Sequence, residues 1–278
     1  MDELLKSAAG DIQIDFPAAP DASPSVIVKD SAGTTLTSGT STVTSDATIF
    51  KFSLTPAQLA QVDVYTATWT ATIGGQVDTY ETQFEVVGGF LFTIEELRAF
   101  DTNLPSATYP DAKVRDAREA AQNRLETLLG VAMRRRGSRE ELDGTGTRDI
   151  QVLNREPRRV VSGSIDSTAL TAGDITDLKY YPSGRIRRKT GSWGWGDLNV
   201  TLFYEHGFTQ APEPVRRACM ALARANLVGN EMWSRRTGEQ TDIGFFRLTL
   251  AGRAGSPTGL PEVDAVIQQY GRTIPGIA

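Results

Sequence analysis

No arginine precedes the pair Gly88-Gly89, and 23 follow it. That break in composition constrains the fold more than any motif in the chain. Residues 1–88 hold three Lys against eleven Asp/Glu, a net charge of −8; residues 89–278 hold 26 Lys/Arg against 23 Asp/Glu, a net charge of +3. Two modules with different surface chemistry are expected, joined where two glycines permit a hinge. The 278 residues suffice for two hydrophobic cores. The overall charge of −5 argues against a chain whose main task is gripping nucleic acid by bulk electrostatics. A single cysteine excludes an intramolecular disulfide and suits a reducing compartment. MDELLKSAAG carries acidic residues where a signal peptide needs a basic start. The nearly apolar run VVGGFLFTI falls far short of the ~20 residues needed to span a bilayer. The expectation is a cytoplasmically made product with no membrane partner.

Residues 1–88 have the rhythm of an all-β domain. SVIVKD (25–30), IFKFSL (49–54), VYTATWTATI (64–73) and VDTYETQFEVV (77–87) are the expected strands. Tyr65, Ala67 and Trp69 alternate with Thr66, Thr68 and Thr70, the period of a half-buried strand. Gly74-Gly75 suits a tight hairpin turn. LTPAQLAQV (54–62) is expected to be a short helical crossover. The order of elements resembles the immunoglobulin-like modules of phage structural proteins, which implies a small β-sandwich. No calcium-loop pattern occurs among the acidic residues. The module could bind a partner or a sugar, or decorate a larger particle.

After the glycines, FTIEELRAF (92–100) has Thr93 and Glu96 at capping-box spacing. A longer helix is expected at 111–129, where Val114, Ala117, Ala121, Leu125 and Leu128 recur at helical spacing and Gly130 suits the C-cap. Arg134-Arg135-Arg136 and a polar loop, GSREELDGTGTRD, precede a β-rich stretch. Its strands are IQVLN, RRVVSGSI, DLKYYP, RIRRKTG and LNVTLFYEHG, with GSWGWGD (191–197) as a hairpin tip. Pro212 and Pro214 then open a helix whose apolar stripe is Val215, Ala218, Leu222 and Ala225.

The only histidine, His206, and the only cysteine, Cys219, flank that joint. Two such residues cannot make a zinc site, which needs three or four ligands. A Ser-His-Asp arrangement is formally open, yet no GxSxG elbow accompanies it. No GxxxxGK[ST] or dinucleotide loop occurs either. His206 is therefore expected to belong to a strand-to-helix joint and Cys219 to a buried helix face. No catalytic residue, metal ligand or cofactor site is assigned, and an enzyme is the weakest reading.

The Arg clusters are the remaining candidates. Arg134, Arg135, Arg136, Arg187, Arg188, Arg216 and Arg217, with Trp193 and Trp195, could contact neighbouring subunits through forked guanidinium bonds and aromatic anchors. Alternatively they could bind DNA, with the tryptophans as a stacking platform. The tail from about residue 234 is poor in apolar residues and is expected to order by docking. Its candidate contacts are Phe245, Phe246, Leu248 and Leu250 in FFRLTL, and Val263, Ile267 and Tyr270 in PEVDAVIQQY. An extended FFRLTL could add a strand to a partner's sheet.

The series FTIEELRAF, YPDAKVRDAREAAQNRLETLLG, the β-rich middle, LNVTLFYEHGFTQAPEPVRRACMALARANLV and the closing TGLPEVDAVIQQYGR resembles the head–tail connector (head-completion, or adaptor) proteins of long-tailed bacteriophages. The resemblance covers about residues 90–278. Its most specific part is Tyr204, Gly207, Pro214, Arg216 and Arg217, an aromatic strand end followed by a proline and an Ala-rich basic helix. It implies a helical connector core with inserted β-hairpins over 89–233, continued by an extended docking arm over 234–278. With the immunoglobulin-like sandwich expected separately over 1–88, which is not part of the minimal connector family, the expectation is an α+β chain of two domains. The resemblance further implies a homo-oligomeric ring, usually of twelve copies, at the head–tail interface of the virion. The portal protein would lie above and a neck or tail-completion protein below, with packaged DNA passing through without sequence-specific binding. The competing expectations are the DNA-binding reading of the Arg clusters and a sugar- or surface-binding role for the β module.

Overall fold

The structure, a computed structural model, describes residues 2–228, 238–241, 244–247 and 257–271. It is a mixed α+β, β-rich chain. Contacts divide it into two compact units that are not contiguous in sequence. Unit 1 combines Met1–Gly89 with Arg134–Thr209, and unit 2 combines Phe90–Met133 with Gln210–Ala278. The glycine pair ends the first segment of unit 1, but the chain re-enters that unit at Arg134. Among the described residues no helix is long and apolar enough to cross a membrane.

The first segment of unit 1 holds β1 (Asp2–Leu5), β2 (Gly10–Asp15), β3 (Ser25–Lys29), β4 (Thr35–Thr40), β5 (Thr42–Val43), β6 (Ile49–Leu54), β7 (Asp63–Ile73) and β8 (Gln76–Val87). They form two sheets, ordered β1-β8-β7-β3-β4 and β2-β6-β5. All pairs are antiparallel except β1 on β8. One core joins the sheets: Val26, Val28, Ala67, Trp69 and Phe84 from the larger, Ile12, Ile14 and Phe50 from the smaller. The alternation read in β7 is the one observed, with Tyr65, Ala67, Trp69 and Ala71 buried and the threonines between them half-buried. The Trp69 indole donates to Thr82 Oγ1 (2.9 Å), and the Tyr65 and Phe84 rings stack with centroids 5.3 Å apart. Gly74 and Gly75 both have positive φ, 57° and 79°, and turn β7 tightly into β8. The crossover expected over 54–62 is a turn and not a helix. Thr55 and Gln58 close a single turn on each other through the Thr55 and Gln58 backbone N–H groups, and buried Leu59 and Val62 then draw the chain into the core.

The chain leaves unit 1 for α1 (Ile94–Phe100) and α2 (Asp111–Leu129). It returns with β9 (Arg136–Thr145), β10 (Asp149–Gln151), β11 (Pro157–Ile165), β12 (Thr168–Ala169), α3 (Ala172–Thr176), β13 (Leu178–Tyr180), β14 (Arg185–Arg188) and β15 (Trp195–His206). Two more sheets result, ordered β12-β11-β15-β9 and β10-β14-β13. They share a core of Ile150, Val152, Val160, Ile186, Trp193, Val200, Leu202 and Tyr204. The stretch expected to be a polar loop, GSREELDGT, is instead most of β9, paired with β15 from His206 to Trp195. It is an edge strand, so charged side chains cost little on its open side and blunt it against further pairing. The expected hairpin tip splits: Trp193 is fully buried, while Trp195 begins β15 with 85% of its surface exposed.

Unit 2 contains α1, α2, α4 (Glu213–Val228) and α5 (Pro261–Tyr270), with the strand pair β16 (Gly238–Thr241) and β17 (Gly244–Arg247) between the last two helices in sequence. The capping box of α1 is formed by Thr93 and Glu96. Helix α2 has the bounds read from its apolar spacing, and Gly130 ends it in the left-handed conformation at φ 64°, where its N–H reaches the Glu126 carbonyl at 2.9 Å. Helix α4 buries Val215, Ala218, Cys219, Leu222 and Ala223. The alanines let α2 and α5 approach it closely.

Candidate functional site

A dense polar cluster lies in unit 1, where β1, β8, β9 and β15 meet. The Arg134 guanidinium clasps both oxygens of Glu3 (2.5 and 2.8 Å), and the two side chains are each 2% exposed. Arg136 holds both oxygens of Glu85 (2.8 and 2.6 Å) and lies 3.7 Å from Glu3. Burial pushes the Glu85 carboxyl up, and the bonds from Arg136 oppose that rise. Glu205, also buried, accepts from Arg159 at 2.6 Å and faces Lys6 at 3.6 Å and Arg135 at 4.0 Å. Two of the three consecutive arginines are thus committed inside their own chain. Truncating either partner of such a pair would strand a buried charge. Arg135, one-third exposed, is the member left near the surface.

Beside this cluster Ser138 Oγ lies 3.0 Å from His206 Nε2, the spacing of a nucleophile and its base. The surroundings oppose that chemistry. Among the described residues His206 Nδ1 is buried without a hydrogen-bond partner, so no carboxylate on that side orients the ring or stabilises an imidazolium. Burial, and then the charge of Arg136, push the histidine down to about 4. The ring is neutral at pH 7 and resists a second proton, the reverse of what a general base requires. Ser138 also accepts from Asn154 Nδ2 at 3.1 Å, which in turn donates to Tyr204 Oη at 3.0 Å. Tyr204 donates to Glu140, whose other oxygen accepts from the Leu153 N–H at 3.0 Å. Burial, aided by Glu140, pushes the Tyr204 phenol up. The network pins the loop between β10 and β11 onto β15. The end of β15 is a braced joint.

The paired tryptophans do not act together. Trp193 donates its indole N–H to the Arg148 carbonyl (3.0 Å) from within the core, with the Arg188 guanidinium 5.6 Å from its ring. Arg188 pairs with Asp174, and Arg187 with Asp149 at 3.6 Å. Of the two, Trp195 is the one that presents an aromatic face to solvent.

In unit 2, Arg216 ties α4 to the start of α1: Nε donates to the Leu91 carbonyl (2.9 Å) and a terminal nitrogen to Glu96 (2.6 Å). The Thr93 N–H and then Arg216 hold the Glu96 carboxyl below its ordinary range. Arg217 is 71% exposed and, among the described residues, pairs with Glu213 alone, at 3.2 Å. A groove of about 600 Å³ is lined by Phe100, Asp101, Ala221, Arg224, Val228 and Leu260, among others. Of the expected docking arm, Phe245 and Phe246 fall in β17, while Leu248 and Leu250 lie outside the described residues. Val263 is fully buried against the helices of this unit, and Ile267 and Tyr270 are half-buried. The α5 part of the arm therefore packs in its own chain. Among the described residues no three His, Cys, Asp or Glu side chains come together as a metal site.

Sequence reasoning missed the buried acids Glu3, Glu85 and Glu205 and the half-buried Glu140. Their partners are 131, 51, 46 and 64 residues away, for Arg134, Arg136, Arg159 and Tyr204 respectively, so no local spacing marks them. No protein-family model matches the chain, and no curated protein matches it. Among solved structures, the crystal structure of CopC from Methylosinus trichosporium OB3b aligns with 31% of this chain and 81% of its own, at 16% identity and a TM-score of 0.26.

Proposed function

We propose that the chain is a structural virion protein. It is a head–tail connector subunit, carrying an immunoglobulin-like β module, that forms a ring of twelve copies beneath the portal. The observation that carries this reading is in unit 2. The helical stretches that bear the resemblance, α1, α2, α4 and α5, fold together as one packed unit although about eighty residues of β structure interrupt them in sequence. A framework role also fits the chemistry, since Arg134, Arg136, Tyr204, Glu205 and His206 are spent on bonds within the chain. In this reading the portal lies above the ring and a neck or tail-completion protein below. Strong basic binding along the wall would hold DNA back, so the channel lining is expected to let it slide. Portal docking is assigned to Phe245, Phe246, Leu248 and Leu250. The alternative, DNA gripped by Arg clusters and a tryptophan pair, has less support because Trp193 is buried and Arg134 and Arg188 are paired.

The test is to mix the full chain with portal rings of its own phage and image the particles by electron microscopy. An added collar with matching rotational symmetry is expected, and its loss on combining Phe245→Ser with Leu248→Ser. A bare portal with the wild-type chain left free would reject the connector reading.

A further inference from the structure

Strand β15 ends in two surfaces of opposite character. At its start, Trp195 is 85% and Leu198 60% exposed, around a β-bulge where the register against β9 shifts between Gly196 and Val200. Leu198 is held at φ 46°, a left-handed conformation that a leucine adopts only when its surroundings impose it. Here they do. The Leu198 N–H donates to Asp143 Oδ1 (2.8 Å), Asn199 accepts from the Gly144 N–H (2.8 Å), and Asn199 donates to Asp166 (2.9 Å). Buried Trp193 anchors the base of the same loop. Asp143, Asp166 and Asp197 are exposed and form no ion pair among the described residues. The tip is an apolar knob braced by these bonds, with three exposed aspartates around it and the exposed Arg148 in the neighbouring turn.

The other end of the strand is its chemical complement. The loop between β10 and β11 lies there, tied down by Asn154 and by the Gly207 N–H bond to the Glu156 carbonyl (3.0 Å). It exposes Leu153 to 77%. Arg155 and Arg158 are exposed beside it. Arg155 has no ion pair among the described residues, and Arg158 donates only to the Gly207 carbonyl (2.8 Å). The eight residue steps from Leu198 to His206 place the two surfaces about 26 Å apart along the strand.

We propose that the occupant of the knob is a second copy of this chain: the acidic Trp195 tip of one subunit seats on the Leu153, Arg155 and Arg158 surface of the next. Tip against tip would set carboxylates against carboxylates, so a two-fold dimer through this surface is disfavoured. Tip against tail pairs opposite charges around apolar side chains, and two different complementary patches per chain are what a closed ring requires. Both patches are braced before contact, which lowers the ordering cost of association. The inference rests on the ring reading proposed above; it keeps Trp195 from the subunit-contact candidates of the sequence and adds Leu153, Arg155, Arg158 and the acidic tip, which were not among them.

Charge reversal on the full chain tests it, read by sedimentation velocity over rising concentration and by collar formation on portal rings. Trp195→Ala is expected to weaken assembly by about thirtyfold, the effect of losing an interface anchor. Asp197→Lys and Arg155→Glu should each weaken it by about tenfold or more, and the double variant should recover most of the loss. All four changed chains carry substitutions at exposed positions and should keep the wild-type circular dichroism spectrum and melting temperature. If wild type assembles and these variants assemble equally well, the contact is overturned while the ring stands. If wild type neither self-associates nor forms a collar, the ring reading fails and this contact with it.

Discussion

At the scale of single residues, the side chains most suggestive of chemistry in the sequence are the ones most firmly bound into the fold. His206 is the clearest case. Its ring sits beside Arg136, Tyr204 and Ser138, 5% exposed, and is pushed down to about 4 from an ordinary value near 6.5. The unfolded chain therefore binds the proton more readily than the native one. Stability from this group is complete above about pH 6.5 and drains away as the pH falls towards 4, by roughly 3 kcal/mol in total. Gln keeps an acceptor for Ser138 but does not titrate. The gap in unfolding free energy between wild type and His206→Gln should thus shrink steadily from pH 7 to pH 4, measured by urea denaturation. Parallel curves would show that the ring is not held neutral by burial.

At the scale of elements, conformation that depends on neighbours is where sequence and structure part. Leu198 illustrates it, since nothing in GDLNVT marks the leucine for a left-handed backbone. Asn tolerates that region and a β-branched side chain does not. Leu198→Asn should be at least as stable as wild type, and Leu198→Val less stable by about 1–2 kcal/mol. Equal melting temperatures for the two would mean that the bulge does not enforce the observed φ. Elements whose signal is local were legible: α1 from its capping box, α2 from apolar spacing and Gly130, β7 from strict alternation, and the Gly74-Gly75 turn. Strand β9 was not, because an edge strand needs few apolar residues and RGSREELDGT shows one, Leu142. The helical crossover inferred for 54–62 failed for a related reason: Thr55 and Gln58 cap one turn, but tertiary burial of Leu59 and Val62 sets the path of the chain beyond it. Of the site, the strand-to-helix joint could be read from Gly207, Pro212 and Pro214. The buried ion pairs could not, because each joins residues distant in sequence.

At the scale of the molecule, the division by contacts cuts across the division by charge. Residues 1–88 are acidic, and two of their acids, Glu3 and Glu85, take their cations from Arg134 and Arg136 after the chain has made α1 and α2 elsewhere. The contrast in composition at Gly88-Gly89 is thus partly a complementarity within unit 1. Backbone bonds add to it: the Gly88 N–H donates to the Arg135 carbonyl (2.9 Å), and β9 runs so close to Val62 that a Cβ on Gly137 would collide with its carbonyl. Two cores fastened by buried charge pairs and direct backbone contact should melt together. Trp69→Ala empties the first core and Trp193→Ala the second, each at a cost of about 3–5 kcal/mol. In calorimetry of the full chain both variants should lower the same transition, because loss of either core releases the buried acids and arginines that hold the other. Were Trp69→Ala to lower one transition and Trp193→Ala a different one, the two segments of unit 1 would be independent folding bodies. The ion pairs between them would then be a docking contact without cooperative weight.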